Sequence, residues 1–182
     1  LGEHNVNNAV IALCLGERYG IDLQDACQAL YAYQPLKMRG DVTEHRGYTI
    51  VDDTYNASTD SINSGLAALF DRAGAHRSIA VLADVLELGE FSREAHERVG
   101  RYLLEEESKG RVLGVLVTYG ENASHISDVV RNKSKTIQVK HCQSREEVID
   151  YMREIITEGD VVLVKGSRGM AMDQVVKALL EE

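Results

Sequence analysis

An open α/β sheet of about six strands is the fold this sequence predicts, and three features predict it. Short β-rich runs alternate with amphipathic helical segments along most of the chain. The gaps between the runs are too long for tight hairpins. Two runs, VLGVLV at 112–117 and VVLV at 161–164, are apolar without interruption. Strands separated by helices run parallel through right-handed crossovers, and strands buried on both faces need not alternate polar with apolar. The expected sheet therefore has five parallel strands, one antiparallel edge and helices on both faces.

The elements follow in order. From Asn5 to Tyr19, the apolar Val6, Val10, Leu13 and Cys14 share one helical face, which Gly20 closes. A second helix has Asp22 as N-cap, a stripe of Leu23, Ala26, Cys27 and Leu30, and the single proline, Pro35, at its end. Here a helix pair gives way to alternating strands and helices. A boundary is expected within 34–40, leaving 1–35 as a fragment of one domain and 36–182 as a whole one. Residues 41–46 and 48–52 read as a hairpin about Gly47, with 41–46 as the antiparallel edge. Strands are then expected at 77–83, 112–118, 136–141 and 160–165, and helices at 60–72, 93–107, 122–132, 145–157 and 170–181. Ser144, with Glu147 three residues on, marks one helix start by a capping box.

Composition narrows the function. A chain of 182 residues holds one domain and part of another, at roughly 100 to 200 residues each. Its formal net charge of −9 argues against broad binding to nucleic acid or anionic membranes, while a local anion pocket survives. No apolar run approaches the roughly 18 to 20 residues that cross a bilayer. Cys14, Cys27 and Cys142 make an odd count without a C-x-x-C pair, which argues against a disulfide framework and a zinc ribbon and fits a reducing, cytoplasmic setting. The opening Leu1-Gly2-Glu3 has no initiator Met and no leader, so the chain is expected to begin inside a longer protein.

In open α/β sheets, ligands bind beyond the carboxyl ends of the strands. Three such ends carry chemistry here: Asp52-Asp53-Thr54-Tyr55-Asn56, Asp84 to Glu87, and Lys165-Gly166-Ser167-Arg168. The opposite loops, Ala73-Gly74-Ala75, Lys109-Gly110 and Glu158-Gly159, read as plain turns. Asp52 or Asp53 alone caps a turn as readily as it meets a ligand. Lys165 to Arg168 reads as an anion nest at a helix start, with a solvated cap as the alternative. No Gly-Lys dipeptide occurs, so the Walker A loop is absent, and no G-x-G-x-x-G follows a strand. His141-Cys142 reads as a strand end with a buried thiol. His96 reads as helix packing unless it faces the Asp84 loop. No metal-ligand spacing is present and no catalytic residue is assigned.

Four strings together resemble the ATP-dependent Mur ligases of peptidoglycan synthesis: GEHNVNNA at 2–9, VDDTYNA at 51–57, VLADVLELG at 81–89 and VKGSRGM at 164–170. HNVNN is common to the family, whereas DD-x-YNA, D-x-x-ELG and KGSR-x-M are most similar to its D-alanyl-D-alanine-adding branch. The resemblance implies an N-terminal UDP-sugar domain, a central ATPase domain with the P-loop, and a Rossmann-like third domain. This chain would then hold the last helices of the central domain and all of the third, with ATP and Mg²⁺ bound mainly outside it. ATP would activate the terminal carboxylate of UDP-MurNAc-tripeptide, and the amine of D-Ala-D-Ala would attack the acyl phosphate.

Carried over by position, the resemblance implies that Asn5 and Asn8 meet the adenine edge, Arg39 reaches the nucleotide, and Asp53 takes the ribose hydroxyls. Tyr55 and Asn56 would shape the closed site. Asp84, Glu87, Lys165, Ser167 and Arg168 would form the acceptor pocket, where carboxylates suit an ammonium and cations suit a carboxylate. Thr59 stands where proline is common and Ala83 where glycine is common, departures that bear on the course of two loops. A Mur-type ligase with a different amine, or a non-catalytic nucleotide- or partner-binding module, would share much of this pattern.

Overall fold

The computed structural model describes residues 3–33 and 36–181, with side chains from Val6 onward. It divides into two compact units, Leu1–Leu36 and Lys37–Glu182. The first contains α1 (Glu3–Arg18) and α2 (Leu23–Ala32). Gly20, at φ 78°, lets the chain turn between them, and the Ile21 amide donates back to the Gly16 carbonyl at 2.9 Å. Asp22 caps α2 by accepting the Gln24 amide at 2.8 Å. No residue of α2 is buried, and Val6, Val10, Ile11 and Leu15 of α1 are exposed. Two helices alone carry too little apolar surface to close a core.

The second unit begins with the hairpin β1 (Asp41–His45) and β2 (Tyr48–Asp53). Arg46 and Gly47 both take positive φ, 46° and 86°, the backbone of a two-residue turn whose twist matches its strands. The chain continues through α3 (Thr59–Ala73), β3 (Ser78–Ala83), α4 (Ser92–Ser108), β4 (Val115–Tyr119) and α5 (Ser124–Lys133). It ends with β5 (Gln138–Cys142), α6 (Arg145–Ile155), β6 (Val161–Lys165) and α7 (Asp173–Leu180). The six strands form one sheet in the order β1-β2-β6-β3-β4-β5. Only the β1–β2 pair is antiparallel, as expected from the sequence.

Side-chain parity builds two cores. Ala80, Leu82, Leu116 and Leu163 point toward Ile62, Leu66, Leu69, Val99, Leu103 and Ile126 of α3 to α5. Their strand neighbours Ile79, Val81, Val115, Val117, Val162 and Val164 point the other way, toward Val148, Met152, Val175 and Leu179 of α6 and α7. Both faces of the central strands are therefore buried, which is why VVLV and VLGVLV carry no alternation.

The chain leaves a gap after β2, lays down β3, β4 and β5 outward, and returns to fill the gap with β6. Strand order reverses at this point, and crevices of this kind receive ligands in open α/β sheets.

Boundaries differ from the sequence reading in two informative places. Strand β4 starts at Val115, three residues later than expected, after a loop in which the Gly114 amide still donates to Ser78 O at 3.0 Å. Helix α7 starts at Asp173 because Arg168–Met170 form a 3-10 turn and Ala171 takes a left-handed φ of 49°. Pro35, the expected end of the second helix, lies outside the described residues. Among the described residues, no helix is long and apolar enough to cross a membrane.

Candidate functional site

The site is built from neighbouring strand ends. Asp53 ends β2 and Lys165 ends β6, and the two are direct register partners. Lys165 also pairs with Leu82 of β3, so the loop that carries Asp84 begins beside them. The amide of Ser167 donates to the Asp84 carbonyl at 3.0 Å, joining the second and third loops. The three chemically loaded loops thus share one rim.

Each charged group on the rim is held differently. Lys165 is 2% exposed. Its ammonium donates to Asp53 Oδ2 at 2.6 Å and to the Asn56 carbonyl at 3.0 Å. Asp53 keeps a quarter of its side chain exposed, and its Oδ1 accepts no hydrogen bond among the described residues. Asp84 is buried. Its Oδ1 accepts the Ala123 amide at 2.6 Å, and its Oδ2 accepts the Asn122 amide at 3.3 Å and the Asn122 Nδ2 at 3.1 Å. That carboxylate sits against the positive start of α5. Ser167 Oγ accepts the Leu86 amide at 2.9 Å.

Two charged side chains on these loops stay open to solvent. Glu87 is exposed, takes a left-handed φ of 65°, and makes no ion pair among the described residues. Non-glycine residues hold such a φ only when their surroundings fix it. Here Asp84, the Val85 amide and the Leu86 amide are all tied down on the N-terminal side. Arg168 is exposed, with loose contacts to Met38 Sδ at 3.4 Å and Asp173 Oδ1 at 3.9 Å.

Arg39 reaches the same rim by stacking. Its guanidinium lies 4.1 Å from the centre of the Tyr55 ring, a cation–π contact. The Tyr55 amide donates to the Met38 carbonyl at 3.0 Å, and the Gly40 amide donates to the Asp52 carbonyl at 2.9 Å. Met38 at φ 66° and Gly40 at φ 74° turn the chain sharply onto the β2 loop. Asp52 accepts the Thr54 amide and hydroxyl at 3.1 and 2.6 Å. Burial pushes its carboxyl above the ordinary range, the Thr54 bonds oppose that shift, and Asp41 and Asp173 reinforce it.

Asp52 is thus the turn-capping member of the pair, and Asp53 is the one that faces Lys165. The nest reading of Lys165 to Arg168 is not what the geometry shows, because the Lys165 ammonium is spent on Asp53 and no long helix starts at Ser167. Asn56 contributes its carbonyl to Lys165, while its Oδ1 accepts the Ala57 amide at 2.9 Å. Asn8 is exposed on α1, and the Asn5 side chain lies outside the described residues. Among the described residues, no group of three His, Cys, Asp or Glu side chains is placed to hold a metal.

His96 faces the Asp84 loop. It is buried, and its Nε2 accepts the Val85 amide at 3.0 Å. Nδ1 then carries the hydrogen and donates to the Ser92 carbonyl at 2.7 Å. Both departures from the family pattern are accommodated. Thr59 opens α3 behind a Ser58–Ser61 capping box, and Ala83 fits because Gly166 has no Cβ, which would lie 2.7 Å from that of Ala83.

Cys142 is fully buried, and burial pushes its thiol up to about 11, with Glu147 adding and Lys140 opposing. The thiolate is the reactive form. In a mildly alkaline alkylation assay, the exposed Cys14 and Cys27 should react while Cys142 stays protected until denaturant is added. Labelling of Cys142 in the folded chain would contradict its placement.

A six-stranded sheet with a polar rim at its switch point defines an open, doubly wound α/β domain. Comparison with known proteins then fixes the family. Residues 38–168 match the family described as Mur ligase, glutamate ligase domain, and the chain belongs to the Mur ligases. It is 29% identical to the UDP-N-acetylmuramoyl-tripeptide--D-alanyl-D-alanine ligase of Bacillus subtilis, over 100% of this chain and 39% of the relative. It is 32% identical to the ligase of that name from Mycobacterium leprae, over 98% of this chain and 37% of the relative. Among solved structures, MurF from Acinetobacter baumannii superposes with a TM-score of 0.86 at 28% identity, over 100% of this chain and 38% of that one. MurF from Thermotoga maritima, in complex with ADP, gives 0.79 at 28% identity, over 100% of this chain and 39% of that one. The chain thus spans under two fifths of the length of these relatives.

Proposed function

We propose that this chain is the carboxyl-terminal part of an ATP-dependent ligase that joins D-alanyl-D-alanine to UDP-N-acetylmuramoyl-tripeptide. Residues 1–35 then belong to the end of a central ATPase domain, and 36–182 form the third domain. The observation that carries the reading is the convergence of the Asp53, Asp84 and Lys165 loops on one rim, in a chain whose named relatives carry out this reaction.

The residues divide the work. Asp53 offers a free Oδ1 as an acceptor-only group, suited to ribose hydroxyls, and Arg39 is held over Tyr55 where its charge suits a phosphate. Glu87 and Arg168 are the open charges of the other two loops on this rim. A zwitterionic dipeptide matches them, its ammonium on Glu87 and its carboxylate on the Arg168 fork. Asp84, Ser167 and His96 hold those loops in shape from behind. When bound, ATP and Mg²⁺ supply activation of the donor carboxylate, in the central domain. The rim's task is to hold the attacking amine in line and exclude water. Exposed Cys14 and Cys27 fit a reducing cytoplasm.

The test is an amide-forming assay on the complete ligase with UDP-MurNAc-tripeptide, ATP and a panel of amines. Stoichiometric ADP and a product extended by D-Ala-D-Ala are expected. Turnover only with another amine would move the protein to a different branch of the family. Nucleotide binding without turnover of any amine would favour a binding module.

A further inference from the structure

We infer that Lys165 is a positioning residue for the nucleotide side of the rim, acting through Asp53 and the Asn56 carbonyl and not by touching the acceptor dipeptide. The inference rests on the reading of Asp53 given above.

Five observations carry it. Lys165 is 2% exposed, so its ammonium is not open to a ligand carboxylate. The ammonium is bound at 2.6 Å to Asp53 Oδ2 and at 3.0 Å to Asn56 O, one partner on the strand end and one on the loop beyond it. Asp53 and Lys165 are register partners on parallel strands. Lys165 also shares the parity of Leu163, which packs in the core beneath α3, so the pair lies on the α3 side of the sheet. Finally, α3 has a glycine where the pair passes. A Cβ on Gly65 would lie 3.3 Å from Leu163 Cδ2, 3.6 Å from Lys165 Cδ and 3.7 Å from Asp53 Oδ2. Glycine inside a helix is unfavourable relative to alanine, and here it brings the α3 backbone close over Leu163 and the ion pair.

A buried ammonium with one carboxylate and one carbonyl fixes both. The bond to Oδ2 sets the rotation of the Asp53 carboxylate and leaves Oδ1 without a hydrogen-bond partner among the described residues. The bond to Asn56 O pins the 54–58 loop, and with it Tyr55 under the Arg39 guanidinium. Lys165 therefore preorganises both nucleotide-side groups without contacting the nucleotide.

The experiment measures the KM for ATP and the KM for D-Ala-D-Ala separately in the complete ligase, alongside amide hydrogen exchange over residues 54–58. Lys165→Met should raise the ATP KM about tenfold or more, the scale of a lost charged hydrogen bond, with the dipeptide KM within about twofold of wild type. Exchange in 54–58 should accelerate. Asp53→Asn should raise the ATP KM as well, and the double variant should be no worse than the worse single one, the mark of two residues acting as a unit. If Lys165→Met alone fails to fold, the double variant, which buries no unpaired charge, decides. It is expected to match Asp53→Asn, and a larger rise in the dipeptide KM than in the ATP KM would overturn the inference. A Lys165→Met enzyme with a normal ATP KM, beside a raised one in Asp53→Asn, would overturn it alone. An unchanged ATP KM in Asp53→Asn would instead remove the nucleotide reading of Asp53 on which it rests.

Discussion

Replacing Asp84 by alanine should cost the second unit about 3 kcal/mol and disorder the loop that presents Glu87. The carboxylate is buried and meets three donors, the Ala123 amide, the Asn122 amide and the Asn122 side chain. Ala123 is itself fully buried, so its N–H would lose its partner inside the fold. A buried donor left unpaired costs about 1–3 kcal/mol, and here the two backbone donors at the start of α5 lose their partner together. The site leaves no slack for repair, because a Cβ on Gly120 would already lie 2.3 Å from Asp84 Oδ1, and Gly120 sits at φ 112°. Gly120→Ala should therefore be damaging for the same reason, by forcing the carboxylate off α5. Urea unfolding of each variant checks both, read from the midpoint at unchanged m. A loss under about 1 kcal/mol in Asp84→Ala would mean that α5 does not depend on this cap.

This cap also marks the limit of what the sequence discloses. The alternation of apolar runs and amphipathic segments dictates the sheet, because strands such as Val161 to Val164 are buried on both faces and leave no choice of pattern. The antiparallel edge is legible from Gly47, which closes a two-residue turn. That the chemistry gathers on one rim is legible too, since parallel strands all end on the same side.

Strand order is not legible. Periodicity says that β6 comes last in the chain, but not that it inserts between β2 and β3. Without that placement Asp53 and Lys165 have no reason to be read as a pair, and a lysine before Gly-Ser-Arg reads as a free cation. Parity does hold a trace of the answer, since Lys165 stands two residues from buried Leu163 and shares its face. The cap on α5 was invisible for a different reason. Capping signals are local, whereas Asp84 is 39 residues from Ala123. For His96 the sequence leaves two readings, and the Val85 amide at 3.0 Å decides between them.

The opposite end of the sheet should make the larger contribution to acid stability. Arg77 forks onto Asp160, Nε to Oδ1 at 2.8 Å and Nη2 to Oδ2 at 2.5 Å, and its Nη2 also donates to the Ile155 carbonyl at 2.6 Å. The Thr157 amide donates to Asp160 Oδ2 at 2.8 Å. Asp160 is 3% exposed and Arg77 38%, so the carboxylate depends on its partners more than the guanidinium does. Burial alone would raise the Asp160 carboxyl. The Arg77 bond and the Thr157 amide outweigh it, and the group titrates below its ordinary 3.8. Because the folded value is depressed, the unfolded chain takes up the proton first as pH falls. The stabilisation is therefore complete well above 3.8 and is lost as pH drops through the folded value. Asp160→Ala should cost about 3 kcal/mol at neutral pH, with the pair's partial exposure already discounted from the range for a broken buried pair. That difference from wild type should shrink steadily once the pH is taken below 3.8. The difference is the quantity to follow, because Asp52, raised by burial, contributes with the opposite sign in the adjoining region above 3.8. Chemical unfolding of wild type and variant across the acid range measures it. A penalty that stays constant into acid would show that Asp160 serves the fold by shape, and not as a charged partner of Arg77.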